Sequence, residues 1–238
     1  EDGVSYSLAG SAAAVLENIA ANDNGEFGIY MEDYGAGVEA TDATAQFTMR
    51  RIEANRNGFD GLFFDFPSAW ASGVNGTADA VLEQIEARNN GGSGFYHYFS
   101  VARADQGTAT TRFAGFTAIS NSEYGIYVDD YGAYAGGAGA DAALTVTGVC
   151  ANFNGFDGLH FDKYGAQAVG PGGNASFDLA RTDLRGNGRS GLYTFGAYSA
   201  DGTAAMSLTG VSANSNTFAG IGIMGISAGG AGAPASLV

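Results

Sequence analysis

Counted from a glycine that keeps returning along the chain, apolar or small residues occupy the positions fourteen, twelve, nine and seven before it and one and three after it. Around Gly158 these are Leu144, Val146, Val149, Ala151, Leu159 and Phe161; around Gly61 they are Phe47, Met49, Ile52, Ala54, Leu62 and Phe64. Residues two apart share one face of a strand, and the breaks between such pairs mark turns. Each unit therefore predicts short strands joined at corners, and no stretch carries a helical stripe. The glycine recurs as Gly28, Gly61, Gly94, Gly125, Gly158, Gly191 and Gly220, at intervals of 33, 33, 31, 33, 33 and 29 residues. Each lies seventeen residues after the first member of a pair that ends in alanine: Ser11-Ala12, Thr44-Ala45, Thr77-Ala78, Thr108-Ala109, Asp141-Ala142, Asn174-Ala175 and Thr203-Ala204. A fixed module stacked on copies of itself is the signature of a solenoid. All variation in length falls between the glycine and the next pair, which places loops at one corner, where solenoids commonly carry function.

One polar residue is fully repeated. Asn24, Asn57, Asn90, Asn121, Asn154, Asn187 and Asn216 stand four residues before each glycine. Stacked at the strand spacing of about 4.8 Å, inward asparagines can hydrogen-bond along the axis and satisfy corner backbone groups that no ladder reaches. A ligand role would demand a site in every turn, so the row is expected to be a structural ladder. The glycine after it is expected at a corner that needs positive φ and leaves no room for a Cβ. Asp157, between the two, has the wrong parity for the core, and its truncation is expected to cost little.

These N-x-x-x-G turns, each followed by two apolar residues in alternation, are seen at 57–64 (NGFDGLFF) and 154–161 (NGFDGLHF). In them the chain resembles the right-handed parallel β-helix proteins of the pectate-lyase-like kind, in particular repeat proteins of bacterial and archaeal surfaces. The resemblance covers nearly the whole chain. It implies an all-β, right-handed solenoid of about seven turns with three short strands each. The group contains polysaccharide lyases and hydrolases, phage tailspikes, adhesins and passenger domains of surface proteins, so it carries the fold and not an activity. Its enzyme motifs are missing: the chain has no Gly-His-Gly, no Arg-x-Lys and no arginine-rich lyase pattern. One domain is expected over 1–228, with 1–10 as a partial first turn, and 229–238 as a Gly/Ala-rich tail, either flexible or a joint to something else.

Charge narrows the partners. The chain has 25 acidic residues against nine arginines and the single Lys163, for a net charge of −15. Such a surface repels nucleic acid and anionic membranes, and disfavours polyanionic substrates unless a cation intervenes. The lone Cys150 excludes an internal disulfide; its small neighbours and outward parity make it incidental. No apolar run is long enough to span a bilayer, and no signal peptide is present. Because the chain opens on Glu1, it reads as a processed or excised product, and an extracellular or cell-surface location is expected.

Two exterior stripes are candidates for chemistry. Two residues past the glycine stand Tyr30, Phe63, Tyr96, Tyr127, His160 and Tyr193, a row of rings that either stabilises strand stacking or grips sugar faces or a neighbouring subunit. Four past it, Glu32, Asp65, Asp129 and Asp162 align from turn to turn. The pairs Glu32/Asp65 and Asp129/Asp162 would bind Ca²⁺, or else form a solvated acidic face. Asp129, Asp130, Asp162, His160 and Lys163 share one face and are thin candidates for a carboxylate-based glycosidase or lyase. His97, at an inward position among aromatic residues, is expected to be a hydrogen-bonded core histidine. The sequons at Asn75 and Asn174 matter only where glycosylation machinery exists.

Neither end carries a capping helix. Val4, Tyr6 and Leu8, by glycine spacing akin to 28–35, would pair with a neighbour's last turn at Ile221, Ile223 and Ile226, giving self-association end to end. Two functions follow. The first is a non-enzymatic structural subunit of a surface filament, sheath or adhesin. The alternative is a carbohydrate-binding or polysaccharide-degrading β-helix using Tyr30, Tyr96, Tyr127 and Asp129/Asp162.

Overall fold

The computed structural model describes residues 5–8, 10–229 and 234–238. The chain winds as a right-handed parallel β-helix of about seven turns with three strands per turn, and the described residues contain no helix. A short sheet stacks seven strands from Ile29–Met31 to Ala219–Ile223, with Leu62, Phe95, Ile126, Leu159 and Leu192 in one inward column. A long sheet begins at Ala12–Ala20 and bears the apolar pairs that precede each glycine. The third sheet runs from Ser5–Ser7 through Ala36–Val38, Ala69–Ala71 and Ala102–Ala104 to Ser227–Ala228.

That third sheet lies in the segment the spacing marks as a variable loop. Most of its inward residues are alanines, fully buried at Ala69, Ala71, Ala102, Ala104, Ala133, Ala135, Ala166 and Ala168, with Val38 and Ser199 in the same columns. Methyl groups suffice because the other walls supply the bulk: Phe47, Phe64, Phe95, Phe113, Phe116, Phe161 and Phe177 are all fully buried. Each such ring contributes about 2–3 kcal/mol of apolar burial. The length variation sits at the corners on either side of the alanine sheet. After Ser190–Thr194 only Phe195 and Gly196 precede the alanine strand, where Asp65 to Ser68 do so after Leu62–Phe64.

Two residues per turn bend the long-sheet wall. Asn18, Arg51, Gln84 and Arg181, aligned with Gly115, Gly148 and Gly210, have φ between 51° and 63°; five residues on, Asp23, Arg56, Asn89, Ser120, Phe153 and Ser215, aligned with Gly186, have φ between 56° and 66°. The repeated glycine itself has no positive φ. It is glycine because a Cβ at Gly28 would lie 2.5 Å from the Gly61 carbonyl oxygen and 2.7 Å from Asn57 Nδ2, so close stacking of turns, not dihedral strain, fixes it.

The asparagines form a continuous ladder. Asn154 Oδ1 accepts the backbone N–H of Asn121 at 3.1 Å and its Nδ2 at 3.0 Å. Asn154 Nδ2 in turn donates to the Ala118 carbonyl at 3.0 Å and to Asn187 Oδ1 at 3.1 Å. The pattern runs from Asn24 through Asn57 and Asn90 to Asn216.

Three further expectations need correction. Asp157 is fully buried, because its carboxylate turns along the axis and accepts the Ser190 N–H at 2.5 Å and hydrogen-bonds His160 Nδ1 at 2.7 Å. Ser5–Ser7 belongs to the alanine sheet, not the short one, since only that strand fits before Ser11-Ala12; it pairs Tyr6 with Gly37, which turns Tyr6 outward onto Glu39 at 2.5 Å and leaves Leu8 exposed. Val4 lies outside the described residues. The tail ends in a strand, Ala235–Leu237, that pairs with Ala204, Ala205 and Met206 and so continues the long sheet.

Asn154→Ala and Asp157→Ala should therefore both destabilise the fold, each by about 1–3 kcal/mol in urea unfolding, because each strands buried backbone N–H groups. A near-neutral result for Asp157→Ala would place its carboxylate in water.

Candidate functional site

Leaving the short sheet, the chain turns a corner before entering the alanine sheet. Tyr34, Phe66, Phe99, Tyr131, Tyr164 and Phe195 stand at this corner in successive turns. Parallel register sets a second row beside it on the outer face of the alanine sheet: Gly37, Trp70, Arg103, Tyr134, Gln167 and Tyr198. The rows meet in pairs. Tyr34 stacks on Trp70 at 4.9 Å, Tyr131 meets Tyr134 at 5.3 Å and Tyr164 meets Tyr198 at 5.0 Å.

Between them runs a groove. One part of it, about 570 Å³, is lined by Tyr98, Phe99, Arg103, Asp129, Asp130, Tyr131, Tyr134, Asp162 and Lys163. Phe99 and Arg103 also line the next cleft with Phe66, Trp70 and Asp105, and Tyr34 and Phe66 continue it to Glu32 and Asp33. Three clefts thus share walls across five turns, roughly 19 Å at strand spacing.

Cations in the groove are tied down. Lys163 Nζ donates to Asp130 Oδ1 at 2.5 Å and lies 5.2 Å from the Tyr131 ring centre. Asp130 also accepts the Ser100 hydroxyl at 2.8 Å. The hydrogen bond to Asp130 holds the Lys163 ammonium above the usual lysine range. Arg103 donates to Asp105 at 2.8 Å and sits over the Tyr134 ring at 5.0 Å, while Trp70 Nε1 donates to the other Asp105 oxygen at 3.1 Å.

The ring stripe of Tyr30, Phe63, Tyr96, Tyr127, His160 and Tyr193 stacks along the axis, with neighbouring centres 4.7–5.5 Å apart. Its faces are largely spent on one another, and only Tyr30, near the start of the row, is 47% exposed. Burial, then the charge of Asp129, pushes the Tyr96 phenol up to about 12; burial and the hydrogen bond to Asp129 raise Tyr127 further. Both stay protonated as donors. His160 is itself buried, with Nδ1 on Asp157 and Nε2 3.4 Å from Asp162 Oδ1, so it braces the corner from behind.

The structure brings Asp129, Asp130, Asp162 and Lys163 into one cleft, while Glu32 lines another cleft at the far end of the groove. Asp129 accepts the Tyr127 hydroxyl at 2.8 Å and Asp65 the Tyr30 hydroxyl at 3.3 Å. Among the described residues no group of three or more His, Cys, Asp or Glu side chains is placed to hold a metal. Cys150 is half-buried, with Sγ accepting from Asn152 Nδ2 at 3.1 Å, and burial raises its thiol. His97 is fully buried between Ser68 Oγ and the Phe99 carbonyl, both at 2.9 Å. Sequence reasoning misses Trp70, Arg103 and Tyr134, whose strands read as loop, and Tyr131 at the corner before them. The recurring alanines two apart, flanking Trp70, Arg103 and Tyr134, were the available signal.

The architecture defines a parallel β-helix. Comparison with protein-family models, with curated proteins and with solved structures finds no match to this chain.

Two buried groups give opposite pH responses. Burial pushes His97 down to about 3 from 6.5, so between those values the unfolded chain takes a proton the native state refuses, and stability falls as pH falls. Burial pushes Asp60 up to about 6 from 3.8, so its penalty is absent at low pH and complete above pH 6. His97→Gln should flatten the loss of stability between pH 6.5 and 4. Asp60→Asn should stabilise at about pH 7.5 and not at about pH 3.5; urea midpoints across pH check both.

Proposed function

We propose that the protein is a non-enzymatic, extracellular β-helix that holds a polysaccharide chain lengthwise in the corner groove. The continuity of the groove over five turns, walled by rings and fringed by carboxylates, carries this reading. Sugar rings stack on aromatic side chains, and their hydroxyls donate hydrogen bonds to carboxylates beside them. Phe66 and Tyr98 still present ring surface to solvent, being 37% and 46% exposed. The carboxylates Glu32, Asp33, Asp105, Asp129, Asp130 and Asp162 favour neutral or amino-bearing sugars over polyuronates. Binding without cleavage fits the chemistry: Lys163 and Asp130 neutralise each other, and His160 is held behind the groove.

Calorimetry with neutral, aminated and acidic oligosaccharides tests it. Trp70→Ala and Tyr131→Ala should each weaken the preferred glycan by about tenfold, or about 1.4 kcal/mol. No reducing ends should appear on incubation. A calcium ion bridging Asp129 and Asp162 would extend the range to acidic glycans; their binding would then require added calcium and be lost in Asp162→Asn. Equal affinity of parent and variants for every glycan would overturn the reading.

A second reading rests on the terminal turns. Val15 is exposed on the first, and Phe218, Met224 and Leu237 on the last, while Ile221, Ile223 and Ile226 are only partly covered. We propose that these faces stack copies into a filament, sheath or adhesin shaft. Sedimentation should show particles larger than one chain, reduced by Phe218→Ser with Leu237→Ser; identical profiles for parent and variant would exclude it.

A further inference from the structure

A quasi-repeat of three turns overlies the single-turn module. Asp60 and Asp157 occupy the same place, one residue before Gly61 and Gly158, within the identical segments NGFDGL. Each carboxylate accepts the backbone N–H of a serine in the next turn, Ser93 or Ser190, at 2.5 Å. The aromatic frames correspond too. Phe27 and Phe59 stand at one corner as Tyr124 and Phe156 do at the other, with ring centres 5.9 Å and 5.2 Å apart.

The cations do not correspond. At the second corner Asp157 hydrogen-bonds His160 at 2.7 Å and has Arg189 Nη1 at 3.8 Å. Burial would raise its pKa, but His160, the Ser190 N–H and Arg189 outweigh burial and hold it below the usual range. At the first corner Phe63 replaces His160 and Gly92 replaces Arg189, and Asp60 makes no ion pair among the described residues. Its carboxyl is pushed up by burial, and the neighbouring Glu123 adds to the rise. The volume an arginine side chain would take is open: a cleft of about 300 Å³ is bounded by Phe27, Phe59, Phe63, Asp60, Gly92 and Glu123.

We propose that this corner binds a guanidinium group from outside the chain, set against Asp60 and Glu123 and over the rings of Phe59 and Phe63, in the place Arg189 fills at the sister corner. Guanidinium suits the walls better than ammonium. It is planar and weakly hydrated, so it stacks on ring faces, and its fork matches carboxylates. Two carboxylates around one cation also explain why a buried acid stands here with no cation among the described residues. The site is separate from the groove, on the opposite edge of the short sheet.

Titration of the full chain with methylguanidinium chloride, methylammonium chloride and sodium chloride, followed through the aromatic NMR resonances of Phe27, Phe59 and Phe63, tests the proposal. Methylguanidinium should give saturable shifts at least threefold tighter than methylammonium, and sodium none. Asp60→Asn and Glu123→Gln should each weaken it by about tenfold. Gly92→Arg should abolish it by supplying the cation internally, although its Cβ requires the Asp60 carboxylate, 2.5 Å away, to turn. Should that variant fail to fold, Phe59→Leu, at a ring 54% exposed, should weaken binding about fivefold and leave the melting temperature in place. The peptide Gly-Arg-Gly amide separates sources: tighter binding than methylguanidinium points to a protein partner, equal binding to a free guanidine. Shifts that sodium reproduces, or that persist undiminished in both Asp60→Asn and Phe59→Leu, would overturn the site.

Discussion

Parallel, in-register stacking at one strand spacing governs everything else in this protein. Each side chain has its own counterpart about 4.8 Å above and below, so whatever a position holds must tolerate a copy of itself at that distance. Asparagine passes this test best, because its amide donates and accepts along the same line, and the ladder through Asn57, Asn90, Asn121 and Asn154 also satisfies the backbone N–H of each corner. Glycine passes it by having nothing to place. At Gly125 a Cβ would meet the Gly158 carbonyl oxygen at 2.4 Å. The two residues make one device, one pulling adjacent turns together and the other permitting the approach.

Stacking of like on like explains what was legible in the sequence. Strict copies, such as the asparagines and the apolar residues flanking the glycine, announce strand, corner and inward face without further help. Alanine is a weaker signal. The wall built from Ala69, Ala71, Ala102 and Ala104 is as buried as any other, yet its methyl groups contrast little with neighbouring glycine and serine, so the third strand hides in an apparent loop. The groove disappears with it, since Trp70, Arg103 and Tyr134 have meaning only once their strand is placed beside the corner of Phe99 and Tyr131.

Parity arguments failed where a side chain turned along the axis. Asp157 counts as outward by alternation, but corners do not alternate, and its carboxylate reaches the next turn instead of solvent. Ser5–Ser7 departs from its glycine spacing for a related reason. Glycine spacing alone matched it to the short sheet, whereas the distance to Ser11-Ala12 fixes it in the alanine sheet.

Departures from the repeat are where this fold can afford chemistry. A ladder of identical carboxylates would repel itself, so acidic residues in adjacent turns must meet a cation, a donor or water. Asp130 meets Lys163 from the turn beyond, Asp129 meets Tyr127, and Asp157 meets His160. Lys163 and His160 each break the single-turn pattern at one position, whereas Tyr127 belongs to the repeated row of rings. Asp60 retains the acid of its sister corner without that corner's cation, so the same rule that accounts for the internal pairs leaves its carboxylate, with rings around it, beside a cleft where the described residues place no positive charge.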